Sequence, residues 1–253
     1  MSAYGTWMLA RREIARYLNV WGQTIVPPVV TAALFLFVFG NALGGRIGDF
    51  GGVPYLTFLV PGLVIQGAIT NAYSNNGSSL FDARRAGYIE DVLTSPLKDW
   101  QIVLAYVISG TSRGVIVGGL TLLIALPIGA GWSFDVPTLL TVLLAASAVF
   151  ALLGIAIGLY ASRWDHIFVP QTFLLTPLTF LGGVFYPVSE LPPRLAAASR
   201  WNPILYMVDA QRASMLGVHD LPVGASVAGL LVAVVVLYVA VLRAFATSPR
   251  LRG

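Results

Sequence analysis

Arg113 is the ionisable residue that falls inside the long apolar runs of this chain. A charge buried in a bilayer needs a polar partner or a water-filled cavity, so it marks a packing contact or a transport path. Both roles fit Arg113. No Asp or Glu stands inside any of the runs. Proton-driven carriers generally work through an intramembrane carboxylate, which leaves an ion- or proton-coupled secondary transporter as the weaker alternative. The two histidines, His166 and His219, fall in separate loops, and there is no cysteine. A zinc site needs about four converging ligands, so a metal centre has too few donors. The absence of cysteine also excludes disulfides and thiol nucleophiles. A phosphate-binding loop ends in Gly-Lys-Ser/Thr, whereas the single lysine, Lys98, follows Leu97. The chain therefore carries no nucleotide motif of its own. Asn75, Asn76, Gly77, Ser78 and Ser79 gather amides and hydroxyls, and Gly77-Ser78 faintly suggests a membrane hydrolase. No histidine base lies within a span to serve it, because His166 sits beside Trp164 and Asp165 at a membrane edge.

The elements that must position these residues follow from composition. Of 253 residues, 57% are hydrophobic and 10% charged. A soluble domain carries roughly 25% charge, so this chain cannot cover a water-facing surface. Soluble globular, disordered and nucleic-acid-binding classes are excluded. The net charge of +4 belongs to segments between apolar runs and reads as membrane topology. Six intervals without charge, 17–45, 50–81, 114–134, 136–162, 167–189 and 221–242, are each 21 residues or longer. A transmembrane helix needs about 20. The expected fold is all-α, one polytopic membrane domain over 1–253 with six transmembrane helices, the third starting near Trp100.

Residues 5–21 form an amphipathic interfacial helix. Trp7, Ala10, Ile14, Tyr17, Leu18 and Trp21 recur at three- and four-residue spacing, with Arg11, Arg12, Glu13 and Arg16 opposite. The loop 82–99 is the most charged inner segment. There Ile89, Val92 and Leu93 share one helical face beside Arg84, Arg85, Glu90 and Asp91. Ser95-Pro96 reads as a helix cap followed by proline at the first position, and Asp99 as an alternative cap for the third span. This short helix either docks a soluble partner or simply turns the chain. The segment 190–220 is too polar for a span. Pro192-Pro193 opens a helix through Arg200, Asn202-Pro203 opens a second, and Gly217 ends it. Gly182, Gly183 and Pro187 loosen the chain just before it, as an exit gate or a plain helix end would. Gly110, Gly114 and Gly118 make two GxxxG steps around Arg113, so the third span packs closely on a neighbour, within the chain or across a dimer. With the N-terminus inside, ten Lys/Arg lie on the inner side and four outside, which places both termini in the cytoplasm.

The runs 21–49, 60–73 and 89–97, then 177–193 with 202–212, appear in an order that resembles the ABC-2 type permeases, the transmembrane subunits of bacterial ABC exporters. The last pair is the most specific. The resemblance implies two six-helix halves, here a homodimer in the inner membrane, with both termini cytoplasmic. It also implies two copies of a separate ABC ATPase subunit, which bind the ATP and magnesium, and no cofactor on this chain. The N-terminal helix would be the family's connecting helix. The loop 82–96 would be its coupling helix, docking the ATPase through Ile89, Glu90, Asp91, Val92, Leu93 and Pro96 with Arg84 and Arg85 as charge partners. The paired helices after the fifth span would be re-entrant and line the exit.

Overall fold

The computed structural model describes residues 3–43, 50 and 52–248. The described chain is helical, and its one β feature is the isolated bridge between Phe50 and Val53. Helices satisfy every backbone group internally, which hydrocarbon demands. In order they are α1 (Ala3–Leu18), α2 (Trp21–Thr24), α3 (Val26–Leu43), α4 (Tyr55–Arg85), α5 (Ile89–Leu93), α6 (Asp99–Ala125), α7 (Val136–Tyr160), α8 (Asp165–Pro170), α9 (Thr176–Leu181), α10 (Pro193–Ser199), α11 (Pro203–Leu216) and α12 (Val223–Thr247).

Among the described residues, five helical stretches are long and apolar enough to cross a membrane: Trp21–Phe39, Tyr55–Arg85, Asp99–Ala125, Val136–Tyr160 and Val223–Thr247. The remaining expected span, the fifth in chain order, is built differently. Its residues form α8, a π turn at Gln171–Leu175 and α9 in unbroken succession. Pro170 and Pro177 explain the break, since neither can donate the N–H that closes an α-turn. The wider π turn absorbs the mismatch.

α4 is the axis of the bundle. It lies between α6 and α7, with α3 and α11 on its remaining sides, while α12 packs on α7 and α1 runs along α6. Glycines bring these backbones together. A Cβ on Gly110 would stand 2.6 Å from the Asn76 amide, one on Gly114 2.7 Å from the Ala68 carbonyl, and one on Gly118 3.0 Å from Leu143. From the other side, a Cβ on Gly158 would stand 2.8 Å from the Gly77 carbonyl. The GxxxG stripe of the third span is thus occupied inside the chain, on α4 and α7.

α1 does not present the expected faces. Its buried residues are Thr6, Leu9, Ala10, Glu13 and Tyr17, while Trp7, Leu18 and Trp21 remain exposed. Glu13 therefore faces the protein rather than water. The helix has two useful sides, one packed on α6 and one aromatic side free for a membrane interface.

Candidate functional site

At the end of the bundle that carries α5, the chain turns out of α4 through Gly87, whose φ of +81° suits a residue without a side chain. α5 is anchored inward. Ile89 and Val92 are buried with Leu9, Leu80, Ile102 and Tyr106, and Leu93 packs partly against the same cluster. Glu90, Asp91, Pro96 and Arg85 stay exposed. Arg84 is committed to structure, donating from Nη1 to the Gly158 and Ala161 carbonyls, both at 3.0 Å. It caps the last turn of α7. Ser95 does not open a helix. Its hydroxyl donates back to the Val92 carbonyl at 2.6 Å, and α6 starts at Asp99 with the Gln101 side chain accepting from the Lys98 N–H.

α1 meets this end through Glu13. Its carboxylate accepts from Arg12 at 3.0 Å, from Arg16 at 3.2 Å and from the Ser79 hydroxyl of α4. Arg16 also donates to the carbonyl and the side-chain oxygen of Asn75. Asn75 donates in turn to Ser109 of α6 and to Asn76, whose amide reaches the Ala151 carbonyl of α7. One polar chain so ties α1, α4, α6 and α7 together. The Arg12 guanidinium stands 5.8 Å over the ring of Tyr88, next to α5. Burial, followed by the charge of Glu13, holds the Tyr88 phenol above its ordinary pKa, so it stays a neutral partner for that cation.

Arg113 lies further along α6. It donates to the Thr24 carbonyl at 3.0 Å and to Asn71 Oδ1 at 3.1 Å. Thr24 ends α2, so Arg113 fastens the break between α2 and α3 to α4. Both bonds are of the kind a packing role would use.

At the opposite end, the segment 182–187 is a packed loop. Gly182 meets Ile204, and Gly183 has φ of +74°. A Cβ on Gly62 of α4 would stand 2.8 Å from the Val184 backbone. Arg212 of α11 is 3% exposed, donates to the Gly183 carbonyl at 2.6 Å and lies 3.8 Å above the Phe58 ring. Tyr55 donates to the Phe185 carbonyl at 3.3 Å, and Pro187 is buried. Asp209, one turn before Arg212, accepts from the Asp220 and Leu221 N–H groups. It closes the loop that Gly217 opens. Asn202 caps α11 by accepting from the Ile204 N–H at 3.0 Å.

The arrangement suits mechanical linkage better than covalent chemistry. Ser78 donates only to carbonyls of its own helix. The Ser162 hydroxyl and His166 Nδ1 are 3.4 Å apart in an exposed loop, and the neighbouring Asp165 is paired with Arg163. Among the described residues no three metal-ligating side chains converge.

Glu13, Asn71 and Arg212 carry much of this geometry without having been singled out as sites by their spacing, and Asn75, noted only for its amide-rich neighbourhood, joins α1 to α6. The signal for the asparagines was present, since Asn71, Asn75 and Ser79 recur every fourth residue on one helix face. Arg212 stands out only as the lone cation of α11, three residues from Asp209.

The family model for the ABC-2 type transporter matches residues 4–216. The chain is 42% identical over 231 residues to the inner membrane transport permease YadH of Escherichia coli (strain K12), covering 90% of this chain and 89% of that protein. It is 30% identical over 216 residues to nodulation protein J of Sinorhizobium fredii (strain NBRC 101917 / NGR234), covering 85% and 78%. Nodulation protein J of Rhizobium leguminosarum bv. trifolii is 29% identical over 185 residues, covering 73% and 71%.

Proposed function

Because the chain belongs to the ABC-2 type transporter family, we propose that it is the transmembrane permease subunit of an ATP-binding cassette exporter. It works as a homodimer in the bacterial inner membrane, with both termini cytoplasmic. Two copies of a separate ATPase bind ATP and magnesium and dock on the α5 ends. Their closure on ATP pushes α5, and the push travels along α4 to the segment 182–187 and the α10–α11 hairpin. A path between the two copies then opens outward, and hydrolysis resets it.

The observation that carries this reading is the construction of α5. Ile89 and Val92 root it in the protein's own interior, while Glu90 and Asp91 project from it and Arg85 and Pro96 stand exposed on either side. A short helix held rigidly from below and charged above suits a docking peg. Arg84 supports the peg by holding the end of α7.

The test is a mild-detergent pull-down from native membranes, with an ATPase assay on the eluate. The wild-type chain is expected to bring down a Walker-motif subunit in stoichiometric amount. Leu93→Asp disturbs the root and Glu90→Lys with Asp91→Lys changes the outer face alone; both are expected to lose that subunit and ATP-driven export. Normal export by the well-expressed surface variant would overturn the docking role, and a wild-type eluate without ATPase would overturn the exporter reading.

A further inference from the structure

At the α5 end of the bundle, the last turn of α4 and the turn between α7 and α8 border a cavity of about 660 Å³. Its lining carries three guanidinium groups, from Arg84, Arg85 and Arg163, and one carboxylate, from Asp165. The half-buried Asp82 interacts electrostatically with Arg85, and counting it the cations still outnumber the carboxylates by three to two. Arg84 is fixed in place by its bonds to the Gly158 and Ala161 carbonyls. Arg85 is exposed. Arg163 pairs with Asp165 at 2.8 Å, but their side chains are 74% and 65% exposed. So exposed a pair is weak and gives way to a stronger anion. A phosphate is one, because two of its oxygens meet a guanidinium in parallel hydrogen bonds. The cavity also borders apolar surface. Trp164 lines it, packing edge-on against Phe81 at 4.9 Å and stacking on Phe168 at 5.9 Å. Phe168, Phe173 and Leu174, all exposed, follow from that stack along α8 and the π turn. Cations, then an interfacial indole, then apolar side chains match the phosphate, glycerol level and acyl chains of a phospholipid.

We propose that this cavity seats the phosphate of an anionic phospholipid of the inner leaflet, with the acyl chains laid along Phe168 and Phe173. Its place in the inner leaflet rests on the topology of the exporter reading above. A zwitterionic lipid would add its own cation to a site already in positive excess, so the site selects a net negative head. Bound there, the lipid bridges Arg85 of α4 and Arg163 of the α7–α8 turn. Arg85 lies two residues before the Gly87 turn that leads into α5. The lipid is therefore a resident of the docking end, joining two elements, rather than a cargo.

The test titrates the delipidated protein in neutral detergent with dioctanoyl phosphatidylglycerol or dioctanoyl phosphatidylcholine and counts adducts by native mass spectrometry. Phosphatidylglycerol is expected to bind at least tenfold more tightly. Arg85→Gln with Arg163→Gln is expected to remove that preference, while Arg200→Gln, at an exposed position on the opposite end, keeps it. Both pocket arginines are exposed, and unchanged thermal unfolding checks that the double variant folds. Equal affinity for the two lipids, or a preference that survives the double variant, would overturn the site. Displacement of the lipid by inorganic phosphate at equal concentration would make it a soluble-anion site and overturn the lipid. The protein has no cysteine, so a disulfide between copies of Phe168→Cys would put a second copy on the apolar ridge and overturn the seat of the chains. Loss of the lipid when the co-purified ATPase is present would give the arginines to that partner and overturn the resident role. Topology is read separately: labelling of Glu90→Cys by an impermeant maleimide in right-side-out vesicles would overturn the exporter reading and move the site to the other leaflet.

Discussion

Glu13 is the sharpest place to test how α1 is held. Its side chain is 3% exposed, while those of Arg12 and Arg16 are 47% and 32% exposed. The two ends of the cluster are therefore unequal. Replacing Glu13 by Gln removes the charge but keeps an oxygen for Arg16 or Ser79, and both arginines can turn toward water. Exposed ion pairs contribute about 1 kcal/mol or less, so the cost is on the order of 1 kcal/mol. Replacing both arginines by Ala leaves a buried carboxylate with only the Ser79 hydroxyl. Stranding one member of a buried pair costs about 3–5 kcal/mol. Undocking of α1 would rehydrate the carboxylate, so the cost should appear as opening of that helix. Hydrogen exchange of the α1 amides in nanodiscs reads it directly. At about 1.4 kcal/mol per tenfold, Glu13→Gln should speed exchange about fivefold and the double arginine variant at least a hundredfold. Adding Glu13→Gln to the double variant should restore much of the protection. Equal acceleration by the single and double variants, or a triple variant worse than the double, would refute the reasoning.

Two further outcomes follow from packing. Gly158→Ala pushes a methyl toward the Gly77 carbonyl and should destabilise by about 1–3 kcal/mol, whereas Gly119→Ala, with nothing within 4 Å, should be neutral or gain up to about 1 kcal/mol. At about 2–4 °C per kcal/mol for a chain of this size, thermal unfolding of the two purified variants separates them. Arg212→Met leaves the Gly183 carbonyl without its donor, a loss of about 1–3 kcal/mol, and should speed amide exchange across 183–187 while leaving α5 unchanged.

The elements were legible where their cause is local. The crossing helices follow from run length against bilayer thickness, and α11 from Asn202, Pro203 and Gly217, each a neighbour of the turn it makes. The sides that helices turn to each other were less so. Glu13 meets Ser79, 66 residues away, and Arg16 meets Asn75, 59 away, so the period of α1 fixed a stripe but could not say what lay beneath it. The common face of Ile89 and Val92 was readable, but its destination was not, because a five-residue helix buries apolar groups equally well inward or in a partner. Arg113 was ambiguous for the same reason, with its acceptor Thr24 lying 89 residues away. The fifth span failed as a continuous α-helix because two prolines outweighed its apolar composition.

If the proposed push along α4 pivots on the close contact between Gly62 and Val184, α4 is a lever with unequal arms. Its 31 residues span about 46 Å at 1.5 Å each, and the contact lies seven residues from the Tyr55 end, beside Pro61, which removes one backbone bond there. The arm toward Arg85 is then about 35 Å and the arm toward Tyr55 about 10 Å. Rotation about that fulcrum would shrink displacement some threefold between the α5 end and the Tyr55 end and multiply force by the same ratio. A stroke of a few ångströms at α5 would arrive as about 1 Å of travel under Phe58 and Arg212, enough to unseat one 2.6 Å hydrogen bond at Gly183.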